Sequence, residues 1–323
     1  MIPLQTPPAV QAPAPADREL AFPGFNGVTL MASVRASAVS TQGSGYFAVM
    51  VAGSGPTDRD WSNPLIPFPS HGGRDFAAWL ASQGIASLRY DKRFIGTKDP
   101  KLDISLDAQV GDIKAAIAAA RALPEAKGKK LLLVGHSEGA LLSLLASSDA
   151  DALLLIGLPP EPMGNLIEAQ VGRQLEGAPE ALRKANADYL HAVLEAIRHG
   201  AAAPVPGEQV YPGLARLGQS LMAPESISFV RGTLDLDPLK LAGRCPVPIA
   251  LVYGEEDMQS FPPSKAPEGF HGAFILVPQA NHLLKRETRP VSDLSASRAM
   301  TAYGDDTPLA DLGRLAAWLK QIK

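Results

Sequence analysis

Ser137 sits between two glycines in Gly135-His136-Ser137-Glu138-Gly139, with the apolar run 131–134 just before it and an Ala/Leu-rich stretch after it. A serine on so tight a strand-to-helix turn has a strained backbone and a hydroxyl lifted clear of the sheet edge. Glycines are needed at its flanks because side chains there would strike the neighbouring strand or helix. The chemistry such a serine offers is nucleophilic attack on an acyl carbon, but a hydroxyl is a weak nucleophile at neutral pH. It needs a base held in one tautomer by a third group. Candidates follow in chain order: Glu255, Glu256 and Asp257 after the apolar run 248–254, then Gln279, Ala280, Asn281 and His282 after the run 273–278. Both groups fall at predicted carboxyl ends of parallel strands, where open sheets carry their reactive residues. We therefore expect Ser137 as nucleophile, His282 as base and Asp257 as the acid that orients the histidine. Glu256 is the alternative acid and Glu255 a solvated turn residue, while His71, His136, His191, His199 and His271 are given structural or solvent-facing roles.

The tetrahedral intermediate of acyl transfer carries an oxyanion that two backbone N–H groups must receive. One is expected from Glu138, directly after the nucleophile. The other is expected from Ala52-Gly53-Ser54-Gly55-Pro56, from Ser54 in the first place, with Gly53 and Gly55 as neighbouring alternatives. Small residues there let the backbone approach a substrate closely. The loop is not a phosphate cradle, since it lacks the Lys-Ser/Thr pair and the helix start of a P-loop. The charged clusters Asp58, Arg59, Asp60 and Asp91, Lys92, Arg93 are expected to pair and brace this loop, because buried charges are tolerated only when partnered.

The elements that must hold these residues alternate. Residues 19–37 read as an opening antiparallel hairpin around Asn26-Gly27, and 46–53 as a strand buried on both faces. Helix 75–84, strand 85–91, helix 105–123, strand 130–135, a helix from Glu138 and strand 152–157 follow. This alternation predicts a mostly parallel sheet covered by helices on both faces. It breaks over about 159–240, which has helical periodicity and Pro/Gly-rich joints but no strand pattern. Strands resume at 248–254 and 273–278, a helix at 309–323 closes the chain, and 285–306 is a polar connection with no assigned element. The expected organisation is a flexible Pro/Ala-rich extension over 1–17, a core of 18–158 and 241–323, and a helical cap over 159–240. Met163, Leu166, Ile167, Leu190, Leu194, Leu217 and Met222 are candidates to line a pocket beneath that cap.

With 323 residues, 46% of them hydrophobic and 20% charged, the chain can bury a large core. A net charge of -3 with no basic block gives no footprint for nucleic acid or an anionic membrane surface. There is no apolar stretch of the roughly 18 residues a membrane span requires. One cysteine, Cys245, excludes an internal disulfide and any multi-cysteine metal site, and it reads as a buried structural thiol. Oligomeric state is left open, and so is the compartment, between cytoplasm and export with a leader already removed.

Taken together, AGSGPTDRDW (52–61), SQGIASLRYDKRFIG (82–96), GHSEGA (135–140), YGEEDMQ (253–259) and PQANHLL (278–284) resemble the bacterial α/β-hydrolases of the serine-aminopeptidase-like esterase branch. The likeness covers about 45–285. Ala52 stands where that pattern has histidine, Phe94 replaces the glycine after Lys-Arg, and Ala140 replaces the second glycine after Glu138. The first bears on the oxyanion loop and the second on the pocket floor. The resemblance implies the α/β-hydrolase fold with an inserted helical cap, and two-step acyl transfer on a small-molecule carboxylic ester with a small or medium acyl group. It implies no metal and no organic cofactor. An aminopeptidase or amidase on the same triad is the enzymatic alternative, and a low-turnover ligand-binding member of the fold is the non-enzymatic one.

Overall fold

Strands that lie mid-sheet with both faces covered read as near-continuous apolar runs, and 46–51, 131–135, 152–156 and 249–254 of this chain are such runs. The computed structural model describes residues 17–39, 45–64, 66–96, 99 and 101–322. Its strands are β1 (Arg18–Pro23), β2 (Thr29–Arg35), β3 (Tyr46–Val51), β4 (Ala86–Tyr90), β5 (Lys130–His136), β6 (Ala152–Ile156), β7 (Ile249–Gly254) and β8 (Ala273–Val277). They form one sheet in the order β1-β2-β4-β3-β5-β6-β7-β8. β2 alone runs antiparallel to its neighbours; every other pairing is parallel. β3, β4, β6 and β7 are buried along their whole length.

The helices are α1 (Gly72–Ser82), α2 (Leu106–Arg121), α3 (Glu138–Leu145), α4 (Met163–Gln174), α5 (Glu180–His199), α6 (Pro212–Leu221), α7 (Ile227–Thr233), α8 (Pro238–Gly243), α9 (Ala296–Met300) and α10 (Gly313–Gln321). The period-2 alternation of strand side chains feeds two cores. Phe47, Val49 and Val51 of β3 join Ile113 of α2 and Leu141 of α3 on one face. Tyr46, Ala48 and Met50 join Phe76 and Leu80 of α1 and Leu315 and Trp318 of α10 on the other. α4–α8 lie between β6 and β7, and the first core continues into them through Val171, Leu194 and Phe229. No helix among the described residues is long and apolar enough to cross a membrane.

The hairpin turns on a short 3-10 segment in which Asn26 and Gly27 take φ of 56° and 78°, a left-handed conformation these two residue types accept readily. Residues 1–16 of the expected extension lie outside the described residues, but Asp17 is fixed: its carboxylate meets Arg35 at 2.6 Å and Arg89 at 2.7 Å. The last helix starts later than its periodicity predicts. Leu309 bridges Lys285 and the Ala310 N–H donates to the Leu284 carbonyl, so extended pairing claims those residues, and Asp311 accepts from the Gly313 N–H where the helix begins.

The segment 285–306, unassigned from sequence, is anchored by a buried cation. Lys285 is fully buried, with its ammonium 2.8 Å from Asp75 on α1 and 2.8 Å from the Gly304 carbonyl. Lys285→Met unpairs both acceptors and is expected to lower unfolding stability by about 1–3 kcal/mol in urea titrations. Unchanged stability would mean that the pair does not anchor this loop.

Candidate active site

The turn joining β5 to α3 is strained at Ser137, whose φ is 56° and ψ is -124°, a region that costs a non-glycine residue about 1–3 kcal/mol. Its surroundings hold it there. The Ser137 N–H donates to the Ile156 carbonyl at 2.8 Å and its own carbonyl accepts from Ala140 at 2.9 Å. A Cβ at Gly135 would come within 2.5 Å of Ala140 Cα, and one at Gly139 within 2.5 Å of the Ala52 carbonyl oxygen. Both glycines are thus needed for close approach, as the motif implies.

β7 and β8 end beside this turn and carry the other two candidates. Asp257 and His282 are 1% and 3% exposed, and His282 Nδ1 lies 2.7 Å from Asp257 Oδ2. Asp257 also accepts from the Gln259 N–H (2.7 Å) and the Ser260 N–H (3.1 Å) at Oδ1, and from the Ser260 hydroxyl at Oδ2. Burial pushes its pKa up, but its pairing with His282 and the other donated hydrogen bonds outweigh burial and hold it down at about 2. With Nδ1–H committed to the carboxylate, Nε2 carries the lone pair, and it makes no hydrogen bond among the described residues. The Ser137 hydroxyl is not yet hydrogen-bonded to it, a contact that tightens in many hydrolases only when substrate is bound. Gly157 ends β6 with φ of 59°, and a Cβ there would meet His282 Cε1 at 2.9 Å. Glu256 is half-buried, its own N–H donates to Ala280, and no bond joins its carboxylate to His282.

His136 is drawn into the same cluster. Its ring stacks on Trp61 at 4.5 Å and lies 4.6 Å from the His282 ring, and its Nε2 donates to the His282 carbonyl at 3.0 Å. Burial first, then the neighbouring His282, lowers its pKa from 6.5 to about 3, so it is a neutral spacer.

The 52–56 loop is braced by only part of the charge expected to do so. Arg59 pairs with Asp91 at 2.9 Å, and Asp58 accepts from the N–H groups of Asp60 and Ser62. Lys92 donates to the Gly53 carbonyl. Arg93 does not reach the loop: it binds Asp112 at 2.7 Å and the carbonyls of Phe25 and Asp103, tying α2 to the β1–β2 turn. Gly55 has φ of 66°, which suits a residue without Cβ.

A cavity of about 450 Å3 opens above Ser137, lined by Ser54, Gly55, Glu138 and Phe94 at its base. That volume lies within the range of small-molecule sites. α4, α6 and α7 supply Met163, Leu166, Ile167, Leu217 and Phe229. Leu190 and Leu194 are instead sealed in the core (1% and 0% exposed), and Met222 packs against that core and does not line the cavity. Among the described residues Glu138 is the only charged one in the lining, and Lys92 lies 3.8 Å from its carboxylate.

Sequence reasoning passed over Gly157 and Ser260. A glycine closing a central strand beside the nucleophile, and a serine three positions after the acid, were the available signals. Trp61, inside a recognised motif, gave no sign that it would stack on His136.

Residues 48–291 match the model of the alpha/beta hydrolase family, and the chain belongs to that family. It is 30% identical over 224 residues to Esterase EstD of Thermotoga maritima, covering 68% of this chain and 48% of that protein, so the chain spans about half the length of this relative. A proline iminopeptidase from Mycobacterium smegmatis shares the fold with a TM-score of 0.54 at 16% identity, over 95% of this chain and 98% of that one. An esterase from Pyrococcus furiosus does so with a TM-score of 0.52 at 15% identity, over 83% and 84%.

Two outcomes follow from this geometry. Gly157→Ala forces a Cβ against the His282 ring and is expected to lower kcat far more than it lowers thermal stability; normal turnover would show that the ring has room to move. His136 sets an acid limit on stability. The unfolded chain takes up a proton near pH 6.5, whereas the folded protein refuses it until about pH 3. Stability is therefore fully present above pH 6.5 and falls toward acid through that window, by about 1.4 kcal/mol per pH unit for one proton. His136→Gln should flatten this slope in urea titrations between pH 4 and about 6.5; an unaltered slope would assign the proton elsewhere.

Proposed function

We propose that the chain is a serine hydrolase that cleaves carboxylic esters of small or medium acyl groups through an acyl-enzyme on Ser137. The observation that carries this reading is the buried His282–Asp257 contact of 2.7 Å, with Nε2 left unpartnered beside a serine at φ 56°. Ser137 Oγ attacks the ester carbonyl as His282 Nε2 takes its proton, and Asp257 stabilises the imidazolium that forms. The backbone N–H groups of Ser54 and Glu138 receive the oxyanion. Collapse expels the alcohol with the proton from His282, and a water activated by the same nitrogen releases the acid.

α4–α8 act as a cap, and the cavity they share with Ser137 holds the acyl group. Its lining is mainly apolar, and its single carboxylate, Glu138, has Lys92 beside it. A free α-amino group would find no unpaired carboxylate there, which favours an ester with an uncharged acyl part over an aminopeptidase substrate. The description of the Thermotoga maritima relative as an esterase supports the same choice.

Ser137→Ala should fold normally, lose fluorophosphonate labelling and lower kcat by about three to six decades; retention of a tenth of the activity would exclude Ser137 as nucleophile. Asp257→Asn is expected to cost on the order of ten-thousand-fold and Glu256→Gln far less, and the reverse ranking would move the acid to Glu256. p-Nitrophenyl esters of increasing chain length, run beside amino-acid p-nitroanilides, test the substrate class. Leu166→Trp should depress kcat/KM for long acyl chains more than for acetate, each lost methylene contact costing about 0.8 kcal/mol. Equal losses at every length would place acyl recognition outside the cap.

A further inference from the structure

Lys92 is 4% exposed, yet its amine is engaged on three sides. It donates to the Gly53 carbonyl oxygen, lies 3.8 Å from the Glu138 carboxylate and stands 5.0 Å over the Phe94 ring. The first contact is with the peptide group that also contains the Ser54 N–H. The described chain has no cis peptide bond, and in a planar trans peptide the C=O and N–H point in opposite directions. A donor gripping the Gly53 oxygen therefore turns the Ser54 N–H the other way, toward the cavity that Ser54 lines. That N–H meets no acceptor among the described residues. A Cβ at Gly53 would lie 3.1 Å from Ser137 Cβ, so the peptide sits beside the nucleophile.

Such a grip is needed because the loop is built of residues that resist rotation poorly. Gly53 and Gly55 flank Ser54, and glycine crosses between backbone regions at little steric cost. A flip of the Gly53–Ser54 peptide would replace a donor by a carbonyl oxygen at the place where negative charge develops. We propose that Lys92 is a positioning residue for the oxyanion hole: by holding the Gly53 oxygen it aims the Ser54 N–H at the developing oxyanion. Its contact with Glu138 ties the same amine to the residue that supplies the second N–H. This rests on the reading of Ser137 as nucleophile and deepens it. The effect belongs to the transition state, because the contact it secures strengthens only as charge builds on the substrate oxygen.

Lys92→Met alone would leave the Glu138 carboxylate without its charged partner and risks unfolding, whereas Glu138→Gln leaves the Lys92 amine its bond to the Gly53 oxygen and the double variant removes both charges. The deciding comparison is thus Lys92→Met/Glu138→Gln against Glu138→Gln, on one p-nitrophenyl ester, with circular dichroism to verify the fold. The double variant should show a kcat about 100-fold lower than the single variant, with KM within about threefold. Affinity for a trifluoromethyl ketone, which adds to the serine and puts an oxyanion in the hole, should fall by a similar factor. Affinity for the matching alcohol, which forms no adduct, should not change. A kcat close to that of Glu138→Gln, or equal losses with both inhibitors, would overturn the proposal. Ser137→Ala measured alongside separates the two readings: if it is inactive while the double variant is unimpaired, only the role of Lys92 fails, and if it is active, both fail.

Discussion

Everything at the site hangs from the backbone at Ser137. A side-chain-bearing residue at φ 56° and ψ -124° persists only where its surroundings over-determine it, and here three strands and a helix do so. β6 accepts the Ser137 N–H, Gly135 lets α3 close onto β5, and Gly139 lets the start of α3 come against the end of β3 at Ala52. This convergence sets the 52–56 loop beside the serine, since that loop is the continuation of β3. It also sets Gly157, the continuation of β6, under the His282 ring. The strain and the assembly of the site therefore have one cause, the packing of α3 into the notch left by two glycines.

Charge at this sheet edge is tolerated because each buried group has local partners. Asp257 has the His282 ring, the Ser260 hydroxyl and two backbone N–H groups, so its ionised form is favoured despite burial. His136 occupies an equally buried place with one hydrogen bond to a carbonyl, and it stays neutral. Lys92 and Glu138 show opposite responses to burial, the amine pushed down and the carboxyl pushed up, each opposed by the other. The site thus holds its charge near the nucleophile in short-range pairs and leaves the cavity wall above it mainly apolar.

The parts legible in the sequence were those with a local signature. Buried strands announce themselves as apolar runs, and Ser137 was recognisable because its conformation demands glycine on either side. Asp257, with Glu256 as its alternative, and His282 were candidates because each lies shortly after such a run. What stayed hidden depends on long-range pairing. Leu166 and Leu190 look alike in sequence, but one lines the cavity and the other is sealed in the core, a difference set by how α4–α7 pack on one another. Arg93 carries the same charge as its neighbour Lys92 yet points to α2, since adjacent residues leaving a strand project to opposite sides. The segment 285–306 had no periodicity to read, because a buried lysine and backbone bridges, not an amphipathic face, hold it in place.

Gln259 connects the two halves of the site. Its N–H donates to Asp257, its carbonyl accepts from Gln170 of α4 at 2.8 Å, its side chain donates to Tyr303 at 2.8 Å, and it also lines the cavity. α4 is the helix that brings Met163, Leu166 and Ile167 to the cavity wall. Under the proposed acyl transfer, a group that displaces α4 pulls through Gln170 on the loop that holds the Asp257 carboxylate against His282. The cavity wall and the Asp257 loop are thus joined by a hydrogen-bonded path of two residues, Gln170 and Gln259. For the proposed ester substrate, the fit of the acyl group then acts on the chemical step as well as on binding.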